Sequence, residues 1–127
     1  MKNLIFIIED DALLAAHYAR LLKSYETKVF SNAIDAVNSI EEQKPALIIL
    51  DLLLDGPTGF SLLNELQSYP DTSNIPIILI TSLAEDLAGS NLKPYGVVKV
   101  LNKSTMHPSE IYHETHNALK AKTKDIS

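Results

Sequence analysis

Residues 46–59 read ALIILDLLLDGPTG, and the reading of this stretch decides the fold. Seven of the nine residues from Ala46 to Leu54 are Leu or Ile, one is Ala and one is Asp51. A half-exposed strand would alternate apolar and polar residues, and this run does not. Ala46–Leu50 therefore reads as a short strand buried on both faces, the pattern of a parallel sheet covered by helices. Asp51 then stands at the end of that strand. An unpaired buried carboxylate is costly, and its usual relief is a partner charge, a metal ion or a raised pKa.

Four more runs surround this one: NLIFII (Asn3–Ile8), TKVF (Thr27–Phe30), IPIILI (Ile75–Ile80) and VVKVL (Val97–Leu101). The first and fourth are almost continuously apolar; the second is short and mixed, as an edge strand would be. Segments with helical spacing lie between and after them. DALLAAHYARLLKSY carries Leu14, Tyr18, Leu21, Leu22 and Tyr25 at steps of three and four. NAIDAVNSIEEQ opens on a capping Asn32 and stops before Pro45, and GFSLLNELQSY ends at Pro70. LAEDLAGSNL is the weakest, with Gly89 inside and Pro94 after it. PSEIYHETHNALKAK starts with Pro108 at a helix-opening position. The order is strand then helix, five times over. This is an α/β chain with one parallel sheet, right-handed crossovers and helices on both faces.

With 127 residues, 46% of them hydrophobic and 21% charged, the chain can bury one real core. The expected organisation is one domain over 1–121 and a polar, flexible tail over 122–127, with no second domain following. The formal net charge of −5 speaks against direct nucleic-acid binding, which needs a basic face. There is no cysteine, hence no disulfide and no thiolate chemistry. Leu4–Ile8 is too short for a signal sequence and runs into Glu9-Asp10-Asp11, and nothing approaches a membrane span. A soluble cytoplasmic domain is the expectation.

Ligands of such sheets bind beyond the carboxyl ends of the strands. The runs end in Glu9-Asp10-Asp11, in Asp51, in Thr81-Ser82 and in Lys103, while the second ends in the undistinctive Ser31-Asn32. Adjacent carboxylates repel unless a cation sits among them, and a hard oxygen set suits Mg²⁺. With such a cation beside it, Asp51 stays ionised and can attack as a nucleophile to form an acyl phosphate. Lys103 and the Thr81 hydroxyl could contact phosphoryl oxygens by charge and by hydrogen bond.

IIEDD, LIILDLLL, PDTSNIPIILITS and VLNKS are each weak signals. All four in order, with Thr81 thirty residues after Asp51 and Lys103 twenty-two after Thr81, are specific. Over Asn3 to Leu119 the chain resembles the receiver domain of two-component response regulators, the CheY-like superfamily. The resemblance implies a flavodoxin-like three-layer sandwich with strand order 2-1-3-4-5 and five helices. It implies that Asp51 is the phosphoacceptor, Thr81 the switch hydroxyl and Lys103 the phosphate-pairing lysine. Mg²⁺ or Mn²⁺ would be held by Asp10 and Asp51, by Glu9 through water and by the backbone carbonyl of Leu53. Asp11 would cap the first helix. The donor would be a histidine kinase or histidine phosphotransfer protein, and the protein would catalyse only its own phosphorylation and dephosphorylation. A downstream protein partner would read the surface around the fourth helix, fifth strand and fifth helix, from a monomer or a phosphorylation-dependent dimer.

The chain departs from the family in places. Leu54-Asp55 stand where Met-Pro is frequent, Val100 replaces an aromatic, and Ser104 replaces the proline after the lysine. The last change leaves the Lys103–Ser104 peptide open to either isomer, although a non-proline cis bond costs about 2.5–4 kcal/mol. Leu53 and Leu83 lie two residues past Asp51 and Thr81, beside the path of the hydrolytic water in the family. Neither side chain can hydrogen-bond that water, so slow self-dephosphorylation is expected.

Other residues read as structural. Lys99 in GVVKV imitates the functional lysine, but alternation makes it a solvated or edge residue. His17, His107, His113 and His116 read as surface groups, and Glu41-Glu42 and Lys120–Lys124 as solvated faces. A haloacid-dehalogenase-like phosphatase would want an acid at position 53, which is Leu. The alternative that remains is a non-phosphorylated receiver relic serving as a protein-binding module.

Overall fold

A computed structural model describes residues 2–52 and 59–126. The strands are β1 (Leu4–Ile8), β2 (Glu26–Phe30), β3 (Leu47–Asp51), β4 (Ile77–Thr81) and β5 (Val97–Asn102). The helices are α1 (Ala12–Leu21), α2 (Ala33–Glu42), α3 (Gly59–Ser68) and α4 (Ser109–Ile126). All strand pairs are parallel, in the order β2-β1-β3-β4-β5.

The continuous apolar strands hide a period of two. Phe6, Ile8, Ile48, Leu50 and Leu79 face one side and pack with Ala36 and Ile40 of α2 and Leu62, Leu63 and Leu66 of α3. Ile5, Ile7, Ile49, Ile78 and Ile80 face the other and pack with Tyr18 of α1 and with Ile111 and Leu119 of α4. Every residue of β1, β3 and β4 is buried because each face has its own helices. β2 is the mixed edge strand, with no fully buried residue.

Caps fix where two helices begin. Asp11 accepts from the N–H groups of Leu13 and Leu14 at 3.0 and 3.1 Å. Asn32 accepts from Asp35 N–H at 2.9 Å, and its amide donates to the Asp35 carboxylate at 3.0 Å. α4 continues to Ile126, over the polar residues set apart above as a tail; Ala and Lys have high helix propensity.

The expected helix over 83–92 does not form, and the helix count among the described residues is four rather than five. Leu87 N–H reaches Leu83 O at 3.1 Å, a single turn; the following bonds, Ala88 N–H to Glu85 O and Ser90 N–H to Leu87 O, are tighter three-residue closures. Gly89 then takes φ +88°. A left-handed glycine ends a helix, and here it arrives before a second turn is complete. Leu87 and Leu92 still pack on the core, so the crossover to β5 covers the sheet as turns and a 3₁₀ segment at Lys93–Tyr95.

Gly96 closes that segment at φ +83°, and a Cβ there would lie 3.0 Å from Ile75 O. At Gly89 a Cβ meets nothing within 4 Å. Gly89→Ala should therefore cost about 1–2 kcal/mol for the left-handed conformation alone. Gly96→Ala should cost more, because backbone must also move. Urea unfolding of both variants reads the difference; equal losses would contradict it.

Candidate functional site

The parallel sheet brings the carboxyl ends of β1, β3, β4 and β5 to one edge. β1 delivers Glu9, whose N–H continues the ladder by donating to Phe30 O at 3.0 Å. Asp10 and the capping Asp11 follow, and Asp11 N–H donates to Glu9 Oε2 at 3.1 Å. β3 ends in Asp51 and β4 in Thr81. Just beyond β5 stands Lys103, held against β4 by its N–H to Thr81 O at 3.0 Å.

The Lys103 ammonium lies 2.9 Å from Glu9 Oε1 and 3.0 Å from Asp51 Oδ2. The contact to Asp51 has hydrogen-bond geometry. The contact to Glu9 is an ion pair whose angles fall outside it. The Glu9 and Asp51 side chains are 1% and 5% exposed, whereas that of Lys103 keeps 24% of its surface. Glu9, Asp10 and Asp51 each offer one carboxylate oxygen, and these three atoms lie within 4.8 Å of one another. Three hard oxygen donors so close fit Mg²⁺ or Mn²⁺ and no soft metal.

The electrostatics follow from burial and crowding. Burial pushes the Glu9 carboxyl up to about 7; Lys103 and the Asp11 N–H oppose this, and the neighbouring Asp10 and Asp51 add to it. Burial draws Lys103 down, but its close contacts with the Glu9 and Asp51 carboxylates and their charges outweigh it and hold the amine above its usual range. Lys103 is thus the fixed positive charge of the site, and Glu9 is the group most strained by staying ionised.

Of the residues singled out in the sequence, Glu9, Asp10, Asp51 and Lys103 meet here. Thr81 is buried at the adjacent strand end, where its Oγ1 accepts from Leu83 N–H at 3.0 Å. Leu53, expected to lend its carbonyl, lies outside the described residues, as do Leu54, Asp55 and Pro57. Lys99 is exposed, away from the Lys103 contacts. The described peptide bonds are trans, Lys103–Ser104 included.

Two residues were missed. Asn102 Oδ1 accepts from Ser104 N–H at 2.9 Å, and its carbonyl accepts from Thr105 and Met106, a turn that shapes the lysine loop. Asparagine next to the lysine was the available signal. Tyr18 was read only as an apolar stripe position. It is 2% exposed, and its hydroxyl has no hydrogen-bond partner among the described residues. Burial first, then the Glu9 charge, pushes its phenol up to about 12. Spacing alone cannot separate such a tyrosine from core.

Glu9 yields a pH test. Its folded pKa of about 7 lies above the ordinary carboxylate range, so folding favours the protonated form. That contribution is complete below the unfolded pKa and is lost as pH rises towards 7. Lys103 is charged in both states across this window and adds no slope. In chelator-containing buffer, Glu9→Gln should gain thermal stability relative to the parent on going from pH 5 to pH 8. Parallel melting curves at the two pH values would contradict this.

The comparisons with known proteins agree with this geometry. Residues 5–116 match the model of the response regulator receiver domain. The DNA-binding response regulator MtrA of Mycobacterium tuberculosis is 30% identical over 84 residues, 65% of this chain and 36% of MtrA. Hybrid signal transduction histidine kinase D of Dictyostelium discoideum is 30% identical over 105 residues, 80% of this chain and 7% of that protein. The chain thus spans about a third of the regulator and a small part of the kinase. In fold it is similar to the receiver domain of sensor histidine kinase PA1611 from Pseudomonas aeruginosa PAO1, solved with magnesium coordinated in its active-site cleft. The TM-score is 0.82 at 23% identity, covering 94% of this chain and 99% of that one. With strand-end acids, hydroxyl and lysine in place and the family model matching residues 5–116, the chain belongs to the response regulator receiver domain family.

Proposed function

We propose that this chain is a phosphoacceptor receiver that takes a phosphoryl group onto Asp51 from a phosphohistidine of a histidine kinase or phosphotransfer protein. The observation that carries this reading is the Asp51 carboxylate held at 3.0 Å by Lys103 beside the Glu9–Asp10 pair, at the sheet edge where ligands enter. An Asp51 oxygen attacks phosphorus, the P–N bond to the donor imidazole breaks, and the imidazole leaves with that electron pair. Asp10 and Asp51, with Glu9 through water, would hold Mg²⁺ or Mn²⁺, which when bound supplies positive charge to the crowded carboxylates and to the phosphoryl oxygens. The magnesium in the PA1611 receiver domain supports this assignment. Lys103 passes from the carboxylate to a phosphoryl oxygen. Thr81 already accepts from Leu83 N–H, so its own O–H is available to donate to another.

The chain catalyses only its own phosphorylation and dephosphorylation. Movement of Thr81 and Lys103 biases the surface formed by the β4–β5 crossover, β5 and α4, where Val98 and Tyr112 are exposed. The reader of that surface is a protein partner, and phosphorylation can pair two copies through it. None of the described helices is long and apolar enough to cross a membrane, which is compatible with work in the cytoplasm.

Incubation with Mg²⁺ and acetyl phosphate should add one phosphoryl mass, absent in Asp51→Asn and suppressed by chelator. An unmodified protein would favour the alternative of a binding module that is never phosphorylated. Leu83, half-buried beside Thr81, has no side-chain group that can hydrogen-bond a hydrolytic water. The phosphorylated form should therefore be long-lived, and Leu83→Gln should shorten its lifetime in a timed mass or gel-shift decay. Loss within seconds from the parent protein would contradict this.

A further inference from the structure

Between α2 and α3 runs a groove that the phosphoacceptor site does not use. One hollow of about 640 Å³ has Val37, Ile40, Leu66 and Tyr69 as its apolar lining. A second, of about 300 Å³, continues it past Ile34 and Leu62. The two share Val37 and Glu65, so they form one trough along both helices. Ile34 and Tyr69 are 56% and 57% exposed along it.

The charge of the larger hollow is one-sided. Glu41, Glu42, Glu65 and Asp71 line it against Lys44, whose ammonium donates to Asn74 Oδ1 at 3.2 Å. Helices between parallel strands run back antiparallel to them, so α2 and α3 end together here, at the edge opposite Asp51. Each helix C-terminus carries partial negative charge, which basic residues in the last turn normally offset. Neither α2 nor α3 has one. Carboxylates and two helix ends thus add at one place beside exposed apolar surface.

We infer that this trough is a docking site for a partner protein's amphipathic helix, with aliphatic anchors for Ile34, Val37 and Tyr69 and Lys or Arg side chains for the acidic rim. An apolar seat flanked by charge of one sign is how a helix is received in a groove, and the acidic rim fixes the sign of the partner.

The test uses the whole chain, isotope-labelled, titrated with a helical Leu/Lys peptide and with its Leu/Glu counterpart. The Lys peptide should give saturable NMR shifts centred on Val37, Glu41, Glu65 and Tyr69, weakening as salt rises. The Glu peptide should bind at least about tenfold more weakly, a difference of about 1.4 kcal/mol. Glu41→Lys with Glu42→Lys should lose a similar factor, as should Tyr69→Ser, which leaves the charge unchanged. Lys99→Glu on β5 should bind as the parent does. No saturable shifts, shifts centred on the Asp51 edge, or binding indifferent to the two Glu→Lys changes would overturn the proposal.

Discussion

A single ammonium holds the carboxylates of two strands that would otherwise repel. Lys103 Nζ sits 2.9 Å from Glu9 and 3.0 Å from Asp51, both almost wholly buried. Buried charges are tolerated only when paired, and removing one partner of such a pair is strongly destabilising. The partner comes from far away in the sheet. β5 lies two places from β3 and three from β1, with neighbouring strands about 4.8 Å apart. The lysine must reach across the end of β4 to close the site. A long flexible stem with a compact charge suits that reach better than a planar guanidinium.

This constraint explains features that otherwise look unrelated. The residue ending β4 is Thr81, a small side chain whose hydroxyl is tied to Leu83 N–H. The loop after β5 is shaped by Asn102, and Lys103 N–H is fastened to Thr81 O. The sheet that sets these distances is apolar on both faces, with Ile48 and Ile49 pointing to opposite cores one residue apart. A register slip in β3 would exchange its two faces, and the continuous apolar run tolerates that better than an alternating one. The position of Asp51 is what makes the correct register distinguishable, because only one register brings its carboxylate to Lys103.

The sequence was legible where chemistry and periodicity coincide. Strand ends could be read because an acid, hydroxyl or lysine interrupts an apolar run, and those interruptions are the site. Asp11 and Asn32 were legible as caps because their role needs only neighbouring N–H groups. The crossover from β4 to β5 was not. Leu87 and Leu92 satisfy core contacts from turns as well as they would from a helix, and Gly89 decided between them. Tyr18 and Asn102 were missed for another reason: their roles depend on which strand ends lie beside them, which spacing does not encode. The groove was equally hidden, since Glu41-Glu42 reads as a solvated face until Glu65 and Asp71 are placed beside it.

The two edges of the sheet share one cause and differ in sign. Parallel strands force the intervening helices to run back antiparallel, so helix N-termini gather at the edge that carries Asp51 and C-termini at the other. Acids beside N-termini are favoured, as Asp11 is at the N-cap of α1 and Asp35 in the first turn of α2. Acids beside C-termini are not, yet Glu41 and Glu42 end α2 and Asp71 follows α3. The carboxylates of the first edge have Lys103 among them. Those of the second have Lys44, which is engaged with Asn74. The imbalance at that end is therefore a standing cost to the free protein, and a cationic partner lowers it on arrival. That physical asymmetry distinguishes the α2–α3 trough from an ordinary solvated surface.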